Sequence, residues 1–154
     1  MKDYNIKSIR QDFKQKGIFY TQKELAEYIK SLLPVNVDRV YDPTCGNGGL
    51  LSVFDDYVEK YGQDINAEQV EEAKNRLKNF HGVAGDTLKN PAFKDMKFDY
   101  IVANPPFSIK WEPFQDVRFN APVLPPPSKA DYAFNLHILH YLSDKGIAAV
   151  LNFP

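Results

Sequence analysis

Apolar positions along the chain follow two spacings in turn. Leu25, Ile29, Leu32 and Leu33 fall at intervals of 4, 3 and 1, one stripe of a helix. Thr21-Gln22-Lys23-Glu24 precedes them in capping-box order, with Thr21 the expected N-cap and Glu24 reaching back. Pro34 ends that helix. Val37 to Tyr41 reads as a short buried strand, and Leu50, Leu51, Val53 and Phe54 begin the next helix. Tyr57 to Gln63 predicts a second strand ending at Asp64. Asn66 is then the expected N-cap of a helix, with Gln69 in the box position and Val70, Ala73 and Leu77 facing inward. Gly82 to Gly85 holds a third strand and Phe98 to Ala103 a fourth. Asp131 is expected to cap a helix whose inner face is Phe134, Ile138 and Leu142, Gly146 to stop it, and Ile147 to Phe153 to form a fifth strand.

Strands alternating with helices predict a parallel sheet flanked by helices, the α/β class. In such a sheet, ligands bind at the carboxyl ends of the strands. Asp42, Asp64, Asp86 and Asn104 each follow a predicted strand, so they are expected to line one sheet edge. Between the fourth strand and the last helix lies a long segment without periodicity, Ser108 to Lys129. Seven of the 11 prolines fall between Pro105 and Pro127. Loops of this length inside a domain are functional or disordered.

A chain of 154 residues is one domain or part of one. With 44% hydrophobic and 25% charged residues it is neither disordered nor fibrous. A net charge of −1 excludes a nucleic-acid grip built on overall basic charge, leaving local patches or a partner. Lys110, Trp111, Arg118 and Lys129 in the long loop are candidates to contact nucleic-acid phosphates and a base. The competing reading is solvated loop charges with Trp111 packed on the sheet. One cysteine excludes an internal disulfide. The start lacks a signal-peptide apolar core, and no run approaches the ~18 residues of a membrane span. A cytoplasmic protein without a membrane partner is expected.

The first strand leads into Asp42-Pro43-Thr44-Cys45-Gly46-Asn47-Gly48-Gly49 and then a helix, the layout of a nucleotide-type cofactor loop. Glycines let the backbone turn tightly and come close to a ligand. No Gly-Lys-Ser/Thr follows, so this is not a phosphate loop. Asp42 would repel a pyrophosphate but suits an ammonium. Asp64, 22 residues later, is placed to accept from ribose hydroxyls. S-adenosylmethionine (SAM) carries an ammonium, a sulfonium and a ribose, and suits both acids. Cys45 reads as a small packing residue rather than a nucleophile. Asp86-Thr87-Leu88 follows the third strand; a carboxylate there can accept from the cofactor's adenine amino group, or simply cap a turn.

Asn104-Pro105-Pro106-Phe107 is the strongest signal. Two prolines stiffen the backbone after the strand, and their carbonyls can accept. With the Asn104 side-chain oxygen they can hold both hydrogens of a planar amino group. That draws the nitrogen toward a nucleophilic form, and orienting it in line with a methyl donor supplies much of the acceleration. Phe107 offers a face for stacking a base. A plain Asn-Pro turn is the alternative.

In these residues the chain resembles amino-group DNA adenine methyltransferases, above all the modification (methylase) subunits of type I restriction–modification systems. Gly17-Ile18-Phe19-Tyr20-Thr21-Gln22 resembles the leading cofactor motif, Asp42 to Leu50 the glycine motif, and Tyr61 to Ile65 the ribose-acid motif. Asn104 to Phe107 matches the catalytic tetrapeptide, and Pro126 to Phe134 resembles the segment that follows it. Gln22 stands where the family has Pro, Asn47 where it has Ser or Thr, and Asp64 where Glu is more frequent. The resemblance implies a Rossmann-like methyltransferase fold, SAM as donor, no metal, and a flipped DNA adenine as acceptor. It implies a catalytic domain over 17–154 after an arm or helix at 1–16, with the family's C-terminal strands missing. Specificity and restriction subunits are the implied partners. By the same resemblance, Phe19, Tyr20 and Thr21 contact the methionine end. Thr44, Cys45, Gly46, Asn47 and Gly48 belong to the cofactor loop, Ile65 to the ribose acid, and Asp86, Thr87 and Leu88 to the adenine end. Glutamine and RNA guanine methyltransferases share the tetrapeptide chemistry, and a methylase core that binds SAM or a partner without catalysis is a further alternative.

Overall fold

The computed structural model describes residues 21–34, 36–107, 109–119 and 124–152. Five strands form one sheet: β1 (Arg39–Asp42), β2 (Glu59–Asp64), β3 (Phe80–Ala84), β4 (Phe98–Ala103) and β5 (Leu142–Val150). Their spatial order is β3-β2-β1-β4-β5, with every pairing parallel. Three helices accompany them: α1 (Lys23–Ser31), α2 (Ala67–Arg76) and α3 (Ala130–Tyr141). From β1 the chain moves outward to β2 and β3, then returns to β1's other side for β4. Connections leaving β1 and β4 therefore diverge, which opens a crevice at the carboxyl ends of those two strands.

Period-2 alternation divides the core between the two faces of the sheet. Val40 and Val102 point to one face, where they meet Ala26, Ile29, Leu51 and Val70. Tyr41, Ile101 and Ala103 point to the other and pack with Phe98, Ile138 and Tyr141 of β4 and α3. A third group lies above the second face. Phe119, Leu88, Ala133 and Phe134 are buried there, with Trp111 and Phe114 against them. The long loop thus carries a small core of its own, and a 3₁₀ turn at Val117–Phe119.

Several local expectations are corrected. The N-cap of α1 is Gln22, with no side-chain cap bond; the Thr21 hydroxyl is taken instead by Asn104, a tertiary contact that outweighs the local one. The buried residues of α1 are Ala26 and Ile29, with Leu33 buried just past its C-cap, while Leu25 and Leu32 are exposed. Small Ala26, in place of Leu25, meets the core beside Ile29 and Leu33. Leu50 to Phe54 makes only a 3₁₀ turn at Leu51–Val53, because Phe54 already has an extended backbone. Lys129, not Asp131, is the N-cap of α3. Leu142 begins β5 directly after α3, and Gly146 lies within that strand. Leu142 pairs with Phe98 and Ile147 with Tyr100, so the residues between them are accommodated as an irregularity rather than as a helix stop. The expectation at Asn66 holds: its side chain accepts from the N–H groups of Glu68 and Gln69.

One feature braces the ligand edge and another the opposite edge. Gly48 has a φ of +81°, and a Cβ there would lie 2.6 Å from Leu77 Cδ1 and 3.3 Å from Ala73 Cβ. Backbone conformation and close helix packing both call for glycine. At the opposite edge, buried Lys60 donates to the carbonyls of Asp55, Val58 and Lys78, which satisfies all three of its donors. Gly48→Ala is expected to cost roughly 1–3 kcal/mol of stability, from strain and overpacking together. Urea denaturation measures this, and an unchanged midpoint would show that the loop does not hold this conformation.

Candidate active site

Asp42 ends β1 and is 1% exposed. Its Oδ1 accepts the Thr44 N–H at 2.9 Å and the Thr44 hydroxyl at 3.4 Å. Burial raises its pKa to about 7, with the neighbouring Asp64 adding to the rise and the Thr44 bonds opposing it. Asp42 is therefore a buried acid without a cationic partner among the described residues, suited to receiving one.

Asp64 ends β2 and holds the glycine loop. Its Oδ2 accepts the Gly46 N–H at 2.8 Å and its Oδ1 the Asn66 N–H at 2.9 Å. Each carboxylate oxygen has a second lone-pair direction for a ligand hydroxyl. Gly46 turns with a φ of +49°, which presents its N–H to Asp64. After β3, Asp86 Oδ1 accepts the N–H groups of Leu88 and Lys89, so the turn cap and a position on the ligand edge coexist. The buried Thr87 hydroxyl donates to Pro43 O at 2.6 Å and ties this turn to the glycine loop. After β4, the Asn104 Nδ2 donates to the Thr21 hydroxyl at 3.3 Å. That bond commits the amide nitrogen and leaves Oδ1 as the side chain's acceptor.

These strand ends surround a cavity of about 740 Å³, within the range of small-molecule sites. Thr44, Gly46, Asp64 and Ile65 line one part of it; Asp86, Thr87 and Leu88 another; Asn104 and Pro106 a third. Ile65 is 75% exposed, an apolar face held at the rim. Asp42 is buried, but the next two residues, Pro43 and Thr44, are in the wall. Cys45 lies in the core, where it packs and where burial pushes its thiol pKa far up, away from the thiolate form. Asn47 turns away and donates to Glu72 of α2. Gly48 packs on α2, Pro105 is buried, Phe107 is half-buried, and none of the three is in the cavity wall. Phe19 and Tyr20 lie outside the described residues.

Sequence reasoning missed part of the wall. Ile109, Trp111 and Phe134 line the cavity. Phe134 was legible as an inner-face helix residue and as the end of the segment resembling the one after the tetrapeptide, neither of which tells a core from a cavity. Trp111 packs on Phe114 and Phe119, at 6.1 and 5.2 Å between ring centroids, rather than on the sheet. Lys110 and Lys129 are exposed. Arg118 is not available to phosphates: it is buried and bonded to Asp116, Thr87, Leu88 and His137.

The N-6 DNA Methylase family matches residues 3–154. The chain belongs to this family. It is 32% identical to the methylase subunit of the type I restriction enzyme MpnII of Mycoplasma pneumoniae, over 92% of this chain and 32% of the relative. Among solved structures, the type I restriction-modification methyltransferase subunit of Streptococcus thermophilus is similar, with a TM-score of 0.75 and 30% identity over 86% of this chain and 34% of that one. A SAM-dependent methyltransferase from Thiobacillus denitrificans, solved with S-adenosyl-L-homocysteine, is 18% identical with a TM-score of 0.59, over 97% of this chain and 56% of that one. That likeness shows the Rossmann-like methyltransferase fold alone. The chain spans about a third of the length of the curated relatives it matches. No helix among the described residues is long and apolar enough to cross a membrane.

The raised pKa of Asp42 makes a prediction without any ligand. The folded protein holds this proton up to about pH 7, whereas the unfolded chain releases it near 3.8. Between those values the folded state binds more protons, so Asp42's contribution makes stability fall as pH rises, by up to about 1.4 kcal/mol per pH unit. Asp42→Asn keeps the acceptor for Thr44 and removes the titration. The variant's stability relative to wild type should therefore climb from pH 4 to 7 and then level off. Parallel pH profiles by chemical denaturation would disprove the assignment.

Proposed function

We propose that this family member is the catalytic core of a SAM-dependent, adenine-specific DNA methyltransferase of a restriction–modification system. The observation that carries the reading is the convergence of Asp64, Asp86 and Asn104 on one cavity at the carboxyl ends of parallel strands. The wall fits SAM on this structure's own terms. Asp64 is oriented by two backbone N–H groups and retains lone pairs for ribose hydroxyls. Asp42 lies directly behind the Pro43–Thr44 wall with no cationic partner among the described residues, and an ammonium brought beside it favours its charged form and gains a counter-charge. Bound SAM supplies an electrophilic methyl group on a sulfonium.

The chain's own residues bind and orient. Asn104 Oδ1, held by the Nδ2 bond to Thr21, accepts one amino hydrogen of the acceptor, and a carbonyl of the following prolines accepts the other. Pro105 and Pro106 stiffen this edge, and Phe107 provides the aromatic face for a base removed from its stack. Asp86 accepts from the adenine amino group of the cofactor, with Thr87 and Leu88 forming the wall beside it. Phe19 and Tyr20 complete the methionine end. Cys45, Asn47 and Gly48 act by shaping the loop. The specificity that this cavity does not supply comes from the partner subunits of a type I system.

Asn104→Ala should keep SAM affinity within about threefold of wild type and abolish methyl transfer to DNA. Asp64→Ala should weaken SAM binding at least tenfold by calorimetry, the loss of a hydrogen-bonded charged group. Normal transfer by the Asn104 variant would sink the mechanism, and unchanged affinity in the Asp64 variant would move the ribose elsewhere. N6-methyladenine in the product distinguishes the reading from transfer to protein glutamine or RNA guanine. A chain that binds SAM but transfers to none of them, with its partner subunits present, would be a binding module.

A further inference from the structure

Arg118 is a charged residue of the long loop that is buried behind the cavity wall, with only 5% of its surface exposed. All five of its N–H groups are used. Nε and Nη2 donate to the two carboxylate oxygens of Asp116, each at 2.8 Å. Nη1 donates to Thr87 O at 3.0 Å and to His137 Nδ1 at 3.0 Å, and Nη2 also donates to Leu88 O. Burial, with the charge of Arg118 adding to it, lowers the pKa of His137 to about 3, so the ring is neutral. With Nδ1 accepting, the proton sits on Nε2, which donates to the Tyr41 hydroxyl at 3.0 Å. Tyr41 immediately precedes Asp42 in β1.

One guanidinium therefore joins the turn after β3, the long loop, α3 and, through His137, the central strand. Thr87 and Leu88 belong to one wall of the cavity, and Trp111 of the same loop as Arg118 to the other. Thr87 and Arg118 are 31 residues apart, and their carbonyl–guanidinium bond is buried. Carbonyl oxygens that lose such a donor inside the fold pay a full desolvation penalty, and Asp116 would keep only the Arg118 backbone N–H and lose its charge partner. Lysine cannot replace this fork, because its three donors lie on one nitrogen.

We propose that Arg118 is a positioning residue for cofactor binding: it locks the Asp86–Lys89 wall and the Trp111 wall together, so that the two order as one unit and the bound cofactor sets the loop. This rests on the SAM-binding reading above for its ligand, but not for the coupling itself.

The test uses Arg118→Lys and Arg118→Met, with Asp64→Ala as a control at another part of the cavity. Trp111 is the only tryptophan, so its fluorescence reports the loop. Without ligand, both Arg118 variants should shift Trp111 emission to the red. The amides of Leu88, Lys89 and Asn90 should exchange at least tenfold faster, with those of β1 and β2 exchanging as in wild type. Asp64→Ala should leave Trp111 emission unchanged. SAM should change Trp111 emission in wild type, and the Arg118 variants should bind it at least tenfold more weakly. Unchanged emission and exchange in Arg118→Lys would overturn the coupling, and so would exchange accelerated uniformly across the sheet, which marks a purely structural role. Normal SAM affinity in a variant with loosened walls would overturn the link to the cofactor. Absence of SAM binding by wild type would defeat the parent reading, while the ligand-free measurements still decide the coupling.

Discussion

Parallel pairing ends every strand of this sheet at the same edge, and the site depends on that constraint. With β1 in the middle of the order β3-β2-β1-β4-β5, the chain must leave β1 and β4 in opposite directions. Backbone polar groups at that edge have no further strand to pair with, so side chains and turns satisfy them. Asp64 takes the Gly46 and Asn66 N–H groups, and Asp86 takes those of Leu88 and Lys89. The acids that seat a cofactor in the proposed function are thus also the acids that complete the fold at its open edge.

The edge is tied crosswise as well as along the chain. Thr87 donates to Pro43, Cys45 N–H to Gln63 O, and Asn104 to Thr21. Gln63 is buried and uses both ends of its amide, donating to Asn90 O and accepting from Ala92 N–H. Arg118 adds the tie from the far side, and its charge is compensated by Asp116, whose own pKa it holds down at about 2. A polar network of this kind is stable only when every donor is matched, which favours one arrangement of the cavity over its alternatives.

Legibility followed the range of each interaction. Asn66 capped its helix as its sequence pattern requires, because the bonds reach only two and three residues ahead. Phe98 to Ala103 formed the expected strand to the residue. Thr21 had the same local signal as Asn66 and did not act on it, since Asn104, 83 residues away, claimed its hydroxyl. Gly146 had the composition of a helix stop and became a strand residue, because pairing with β4 set the boundary. Arg118 read as a candidate phosphate contact or a solvated loop charge; only folding surrounded it with five acceptors.

By itself, the sequence determined the alternating α/β order, the acids and amide at the strand ends, and the identity of the tetrapeptide. These follow from period, spacing and side-chain chemistry, all local. The tertiary structure decided which of those residues reach the cavity and which only support it. Asp64 and Asn104 face it, whereas Cys45 and Asn47 turn to the core and to α2. It also decided that Trp111 and Phe134 complete the wall and that a buried guanidinium joins its two sides. Such outcomes depend on which distant surfaces exclude water together, and no local pattern encodes that.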